Sequence, residues 1–511
     1  MVARFASGLL RGVLAVVVVG GVAGAGWWQW RQQAVTPAEF HLRGKFGSVV
    51  PWPIIPIQVA VLSDGRVLAY GTDRQGQQGS NEVFDVWDPR KGTGPDAHLV
   101  LPNGTGTDIF CSGAVIIPSS GQVLLVGGDR TVNGVRNWSS PDINFYDIKT
   151  GVIKSAGRTM ERPRWYPTVM TLANGEILIL GGRLDLEHYA PIPELFNPQT
   201  GWRTLPGADK NELFGSQNWN YPRAWQTPRG DVFSLNRLGD MYSVKVDGQG
   251  GFTKLPQKVF RGHSYLPSLM YAPGKILSMR LGGITYNIDI NQPEPVIKRA
   301  AWSGLARFNA TATVLADGKV YVSGGSLRNN DNSSGILSNR LSEIWDPATD
   351  KWLPGAVAAK ARLYHSVALL LQDGTVLTGA GGAGAKDADN NLDAEIYYPP
   401  YLFKADGSGQ FAERPAIQAV PDFISWDKAF QLKASAPIGR FTLVKMGSAT
   451  HSQVYDQRFI ELNFKQNGDV YEVSAPSNPL VAPPGYYFLF AVDRQGVPSV
   501  AKIIRLDTAV S

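Results

Sequence analysis

The sequence predicts an all-β protein, a seven-bladed kelch-type β-propeller followed by a C-terminal immunoglobulin-like β-sandwich, with an apolar segment at its N-terminus. Three observations carry this. The first is composition: 56 Gly and 34 Pro among 511 residues, with 18% charged, suit short strands joined by many tight turns. The second is repetition of a strand, a turn at Asn/Asp-Gly or Gly-x, a second strand and paired glycines, as in Val169-Met-Thr-Leu-Ala-Asn-Gly175-Glu-Ile-Leu-Ile-Leu-Gly-Gly182. The turn glycines Gly65, Gly121, Gly175, Gly230, Gly274, Gly318 and Gly374 are spaced by 56, 54, 55, 44, 44 and 56 residues, around the kelch period. The third is a second set of strands ending in Trp87-Asp88-Pro89, Tyr146-Asp147, Phe196-Asn197-Pro198 and Trp345-Asp346-Pro347. Each repeat therefore supplies about four strands, one blade, and no blade buries its faces without its neighbours.

In chain order, residues 1–31 carry Arg4 and Arg11 and then run without charge from Gly12 to Trp30. This reads as a membrane anchor with Trp27, Trp28 and Trp30 as an interfacial belt, although Ala23-Gly24-Ala25 also has the form of a cleavage site, which would release a secreted protein. Either reading puts the rest of the chain outside the cytoplasm, in the periplasm or at the cell surface. Residues 32–50 read as a linker and 51–403 as the propeller. Lys404–Gln410 has linker composition, and 412–511 holds short strands such as Phe441–Met446, Phe459–Phe464 and Tyr486–Val492, expected to form a small antiparallel sandwich. A formal charge of +6 with no basic cluster interleaved with aromatics gives no sign of a nucleic-acid partner.

Kelch repeats serve binding proteins and enzymes alike, so function rests on particular residues. Cys111 is the one cysteine, in Thr107-Asp-Ile-Phe-Cys-Ser-Gly113, and cannot form an internal disulfide. Alone, it reads as a small buried hydrophobe. Three other segments sit where strands begin or break: Arg164-Trp-Tyr166-Pro, Arg362-Leu-Tyr364-His365-Ser and Ala449-Thr-His451-Ser. Copper(II) favours tetragonal nitrogen and oxygen donors, and a phenol ionises readily once a metal holds its oxygen. Of His41, His98, His188, His263, His365 and His451, only the last two adjoin a tyrosine or a loop break suited to ligation. Taken one at a time, these tyrosines and histidines read as core aromatics and hydrogen-bonded interior imidazoles.

Taken together, Cys111, Arg164-Trp-Tyr166, Tyr364-His365-Ser and Thr450-His451 resemble the copper radical oxidases, the family of galactose oxidase and glyoxal oxidase. The likeness runs from about residue 50 to the end, including Pro483-Pro-Gly-Tyr-Tyr-Phe and Gly496-Val-Pro-Ser-Val500; Arg-Trp-Tyr-Pro is closer to the glyoxal oxidase branch than to galactose oxidase, and the N-terminal anchor resembles that of bacterial membrane-bound members. The resemblance implies one copper ion held by Tyr166, His365 and His451, with Tyr364 axial and acting as base. It also implies a Cys111–Tyr166 thioether that forms a self-made radical cofactor. The implied chemistry is ping-pong oxidation of an aldehyde or primary alcohol, of glyoxal, glycolaldehyde or sugar type, with O2 going to H2O2. No flavin or nicotinamide is required, in keeping with the lack of a Gly-x-Gly-x-x-Gly opening a helix. Adjacent Tyr364 and His365 both reach one metal if the strand bends there, because neighbours in a flat strand face opposite ways.

The chain departs from galactose oxidase in the loop Arg183-Leu-Asp-Leu-Glu-His188-Tyr189, which lacks the indole that covers the thioether there. His188 or Tyr189 is expected in its place, with a less protected radical, and Tyr455 is expected to line the site. The competing reading from another class is a membrane-anchored kelch module that binds a glycan or protein without copper. A further reading keeps the copper and directs it to a partner such as a membrane glycan synthase.

Overall fold

The computed structural model describes residues 33–329, 338–384 and 389–508. The expected membrane segment lies outside the described residues, and among those described no helix is long and apolar enough to cross a membrane.

Seven antiparallel sheets follow one another along the chain, and two further sheets come from the C-terminal part. Each of the seven starts with a short apolar hairpin. In the first sheet, Gln58–Val61 pairs with Val67–Tyr70 across Asp64-Gly65, where Gly65 has φ 88°, a conformation that costs glycine nothing. Burial grades outward within a sheet. The opening strands Gln58–Val61, Gly113–Ile116 and Thr168–Thr171 are wholly buried, whereas last strands such as Gly201–Thr204 and Val296–Arg299 face solvent. Opening strands pack on one another between the second and third, fifth and sixth, and sixth and seventh sheets, and Ser366–Leu370 of the seventh returns to Gln58–Val61 of the first. Gly113 is needed there, because a Cβ on it would stand 2.5 Å from Val169 of the next sheet.

Sheets three, six and seven share a latch. Arg164, Arg307 and Arg362, just ahead of the opening strand, pair with Glu194, Glu343 and Glu395 on the third strand at 2.9, 2.9 and 3.2 Å. These guanidiniums also donate to main-chain carbonyls, Gly181, Gly324 and Ala380 respectively, at the end of the second strand. Arg164 and Arg307 each direct Nε and one Nη to a single carboxylate oxygen, and charge-assisted hydrogen bonds of this kind help a buried ion pair to be tolerated.

Two expectations are corrected. The stretch 32–50 is not all linker: Lys45–Phe46 and Val50–Pro51 pair with Asp393–Tyr398 and complete the seventh sheet from the N-terminal side. The C-terminal sheets are not wholly antiparallel, since Phe423–Ile424 runs parallel to Lys502–Leu506. They enclose a separate apolar core that includes Phe441, Leu443, Tyr471, Tyr487 and Leu489. One hairpin leaves them. Ser448–Thr450 and Gln453–Tyr455 pair with each other, and the first of these strands adds to the edge of the first sheet through Val59↔Ala449. The hairpin is stitched in from several sides: Ser448 Oγ donates to the carbonyl of Ala114, Thr450 Oγ1 to that of Ile57, and Gln453 Nε2 to that of Tyr221.

Candidate active site

The residues singled out from sequence meet where the opening strands begin. Cys111, Tyr166, Tyr221, Asn309 and His365 stand just before or at the start of such strands, and all five have positive φ, from 48° to 68°. Non-glycine residues disfavour this region at a cost of about 1–3 kcal/mol each, and clusters of such residues mark functional sites. The conformation turns peptide groups sideways, so Tyr166 N–H donates to the carbonyl of Cys111 (3.0 Å) and Tyr221 N–H to that of Tyr166 (2.9 Å), linking sheet to sheet. His451 arrives from the C-terminal hairpin. With Ser452 it forms a two-residue turn in which both have positive φ, 48° and 64°, the pattern usually supplied by Asn-Gly.

Tyr166 Oη lies 2.6 Å from Tyr364 Oη and 3.1 Å from His451 Nε2. Cys111 Sγ is 3.9 Å from His451 Nε2, and the nearest ring nitrogens of His365 and His451 lie with that sulfur within 4.8 Å of one another. The expected bend is present: a turn at Tyr364-His365 precedes the strand Ser366–Leu370, and the two rings stack at 3.9 Å. All five residues therefore converge. Among the described residues, no other histidine joins this group of possible metal donors; His98 is taken by Asp85, and His188 by Asp185.

The hydrogen bonds decide the tautomers. His365 Nδ1 donates to the carbonyl of Gly382 (2.5 Å), which leaves Nε2 with its lone pair, buried and without a partner. Thr450 Oγ1 spends its proton on Ile57, so it accepts from His451 Nδ1, and Nε2 of His451 again keeps the lone pair. Burial pushes His365 down to about 3, and burial followed by the neighbouring His365 pulls His451 well below the usual imidazole range. Both rings are neutral donors at physiological pH. Burial, then the nearby thiol and phenols, holds Tyr166 well above the usual phenol range, and burial does the same for Tyr364 and for the Cys111 thiol. Two neutral imidazole lone pairs, one of them unsatisfied, facing two phenols make a donor set that fits a copper ion, whose charge would favour the phenolates that burial opposes.

Three residues not anticipated from sequence surround Tyr166 and Tyr364. Trp219, in the loop between the third and fourth sheets, packs edge-on at 5.6 Å; Tyr221 lies at 4.7 Å; and Tyr265 Oη sits 3.5 Å from Tyr364 Oη. Trp165, beside Tyr166 in the chain, adds a ring at 4.4 Å. Neither residue expected to replace the missing indole does so. His188 is exposed, and Tyr189 stacks on Trp219 at 6.1 Å instead of reaching Tyr166. The expectation of a less protected radical thus loses its premise. Tyr455 lies behind Tyr221, at 5.8 Å, in the same apolar cluster. The echo of Tyr166-Pro167 in Tyr221-Pro222, each just before an opening strand, was the signal available for Tyr221.

Comparison with known proteins bears on this geometry. A galactose oxidase from Gibberella zeae is 28% identical over 506 residues, spanning 91% of this chain and 70% of its own. The aldehyde oxidase GLOX of Vitis pseudoreticulata is 25% identical over 462 residues, 78% of this chain and 82% of its own. Residues 414–506 match the galactose oxidase-like early set domain. Through these relatives, all oxidases, the chain is similar to the copper radical oxidases along most of its length. Its fold is shared with a fungal alcohol oxidase of the AA5 family solved in complex with copper, at a TM-score of 0.80 and 24% identity over 91% of this chain and 99% of that one.

Proposed function

We propose that this protein is a mononuclear copper radical oxidase that uses a Cys111–Tyr166 thioether and converts aldehydes or primary alcohols with O2 to H2O2. On this reading the seven sheets are propeller blades, the sheets from 412 onward form a second domain, and the protein works outside the cytoplasm. The convergence of Tyr166, Tyr364, His365 and His451, with the Nε2 lone pair of His365 unsatisfied and that of His451 facing the Tyr166 phenol, supports it most directly. The names of the relatives point the same way.

Tyr166, His365 and His451 would hold the metal by one phenol oxygen and two Nε2 atoms. When bound, copper supplies the redox couple that shares two electrons between substrate and O2 with a single protein radical. Tyr364 is the most exposed of the four donors, so its oxygen is the one placed to meet a substrate hydroxyl and take its proton. Tyr265 Oη, 3.5 Å away, offers a next stop for that proton. Tyr166 is buried beneath Trp165 and Trp219, which shields a radical on its ring from water. Cys111 stands beside it, joined through the main chain. The overall conversion balances as RCH2OH + O2 → RCHO + H2O2.

Intact-mass measurement before and after Cu(II) with oxygen tests the proposal. Loss of two hydrogen atoms, abolished in Cys111→Ser, is the expected result. An unchanged mass with a freely alkylated Cys111 in copper-loaded protein would move the reading to a binding propeller.

A further inference from the structure

Between the loops that join the fourth sheet to its neighbours lies a cavity of about 20 Å³. Arg223, Arg237 and Arg280 line it, with His263, Ser264 and Asn220, and among the described residues no Asp or Glu does. Carboxylates close by are already committed: Asp240 accepts from Lys254 and Lys258 at 3.4 and 3.0 Å, and Glu212, exposed, pairs with Lys210.

The guanidiniums are partly served by carbonyls. Arg223 Nη2 donates to Ser264 (2.7 Å) and Leu266 (2.9 Å), Arg237 Nη1 to Gln217 (3.0 Å), and Arg280 to Phe260 (2.8 Å) and Asn236 (3.0 Å). Carbonyls satisfy donors without cancelling charge. Two donors are left over: Arg223 is only 7% exposed and its Nη1 is buried without a partner, and Arg237 Nε is in the same state. His263 Nδ1 accepts Tyr265 N–H at 3.2 Å, so its proton sits on Nε2, another donor. Burial pulls Arg223 down to about 9 and Arg280 to about 10, the sign of cations held without a counter-charge. Buried unpaired charge is among the most costly features a fold can carry.

We propose that this cavity binds a small monatomic anion, chloride being the abundant candidate. The volume admits one particle of water size, which excludes phosphate, sulfate or a substrate's carboxylate. The anion would brace the active-site wall, because Arg223 also reaches the carbonyl of Ser452, next to His451, at 3.4 Å, and Tyr221 lines the cavity while packing on Tyr166.

The test compares thermal unfolding in sodium chloride and sodium gluconate at equal ionic strength, alongside bromide anomalous diffraction. The expected result is a midpoint that rises with log chloride concentration, as mass action on a folded-state ligand requires, and a bromide peak within reach of Arg223. In Arg237→Gln, at a position less buried than Arg223, the chloride response should shrink several-fold. Equal midpoints in the two salts, an undiminished response in Arg237→Gln, or a bromide map without a peak in the cavity would each overturn the proposal.

Discussion

The third and sixth sheets begin with the same backbone device and end with different chemistry. Arg164-Trp165-Tyr166 and Arg307-Phe308-Asn309 each bury an arginine completely against a third-strand glutamate, and each turns to positive φ two residues later, at 65° and 62°. The third sheet presents a phenol to the centre and the sixth an amide. The seventh shifts the turn by one residue, so that Tyr364 and His365 both face inward. The scaffold thus offers repeated positions at the start of successive sheets, and side-chain identity decides which of them does chemistry.

Exchanging chemistry at matched positions should give the largest effect. Tyr166→Phe is expected to lower peroxide formation per copper by roughly 10³-fold or more, whereas Asn309→Ala should leave it within a few-fold. Comparable losses in the two would end the distinction between a reacting and a merely repeated position. Breaking the latch should act in the opposite manner, on both sheets alike. Arg164→Met and Arg307→Met each strand a fully buried glutamate and should cost about 3–5 kcal/mol in denaturant unfolding. If only the Arg164 variant lost stability, the latch would not be an element shared by the two sheets.

Acid separates the two neighbourhoods. Trp165 faces the non-titrating Trp219, while Phe308 faces His263 at 5.5 Å, and burial together with Arg237 and Arg223 pulls His263 down to about 4. With the folded value below the unfolded one, the stabilisation from neutral His263 is complete above pH about 6.5 and is lost as pH falls toward 4, at about 1.4 kcal/mol per pH unit for one proton. His263→Gln should remove that much slope from a stability–pH curve, and an unchanged slope would contradict the assignment. The smallest expected effect is at the turn itself. Asn309→Ala should cost about 1 kcal/mol for the left-handed backbone and Asn309→Gly close to nothing, read from unfolding midpoints.

Much of this architecture was legible because its cause is local. Short apolar strands around Asp-Gly, Ser-Gly and Asn-Gly turns specify hairpins from local sequence, so the repeats at Gly65, Gly121 and Gly175 could be read directly. The donor types at Tyr166, Tyr364, His365 and His451, and the solitary Cys111, could be read too, since donor chemistry belongs to the side chain. Their convergence could not. His451-Ser452 is a poor sequence for a primed hairpin turn, and its conformation is imposed by bonds to Ile57, Ala114 and Tyr221 on other sheets. Trp219 lies 53 residues beyond Tyr166, in a loop anchored where its carbonyl accepts from Gly182 at 2.7 Å, so no local spacing could assign it to the site. The N-terminal strands that complete the seventh sheet are two-residue pieces whose pairing exists only once Asp393–Tyr398 is in place. Sequence by itself determined strands, turns and donor chemistry, whose energies are set within a few residues; tertiary structure alone decided left-handed backbone at non-glycine positions and contacts between distant sheets, because only packing across the whole ring offsets their cost.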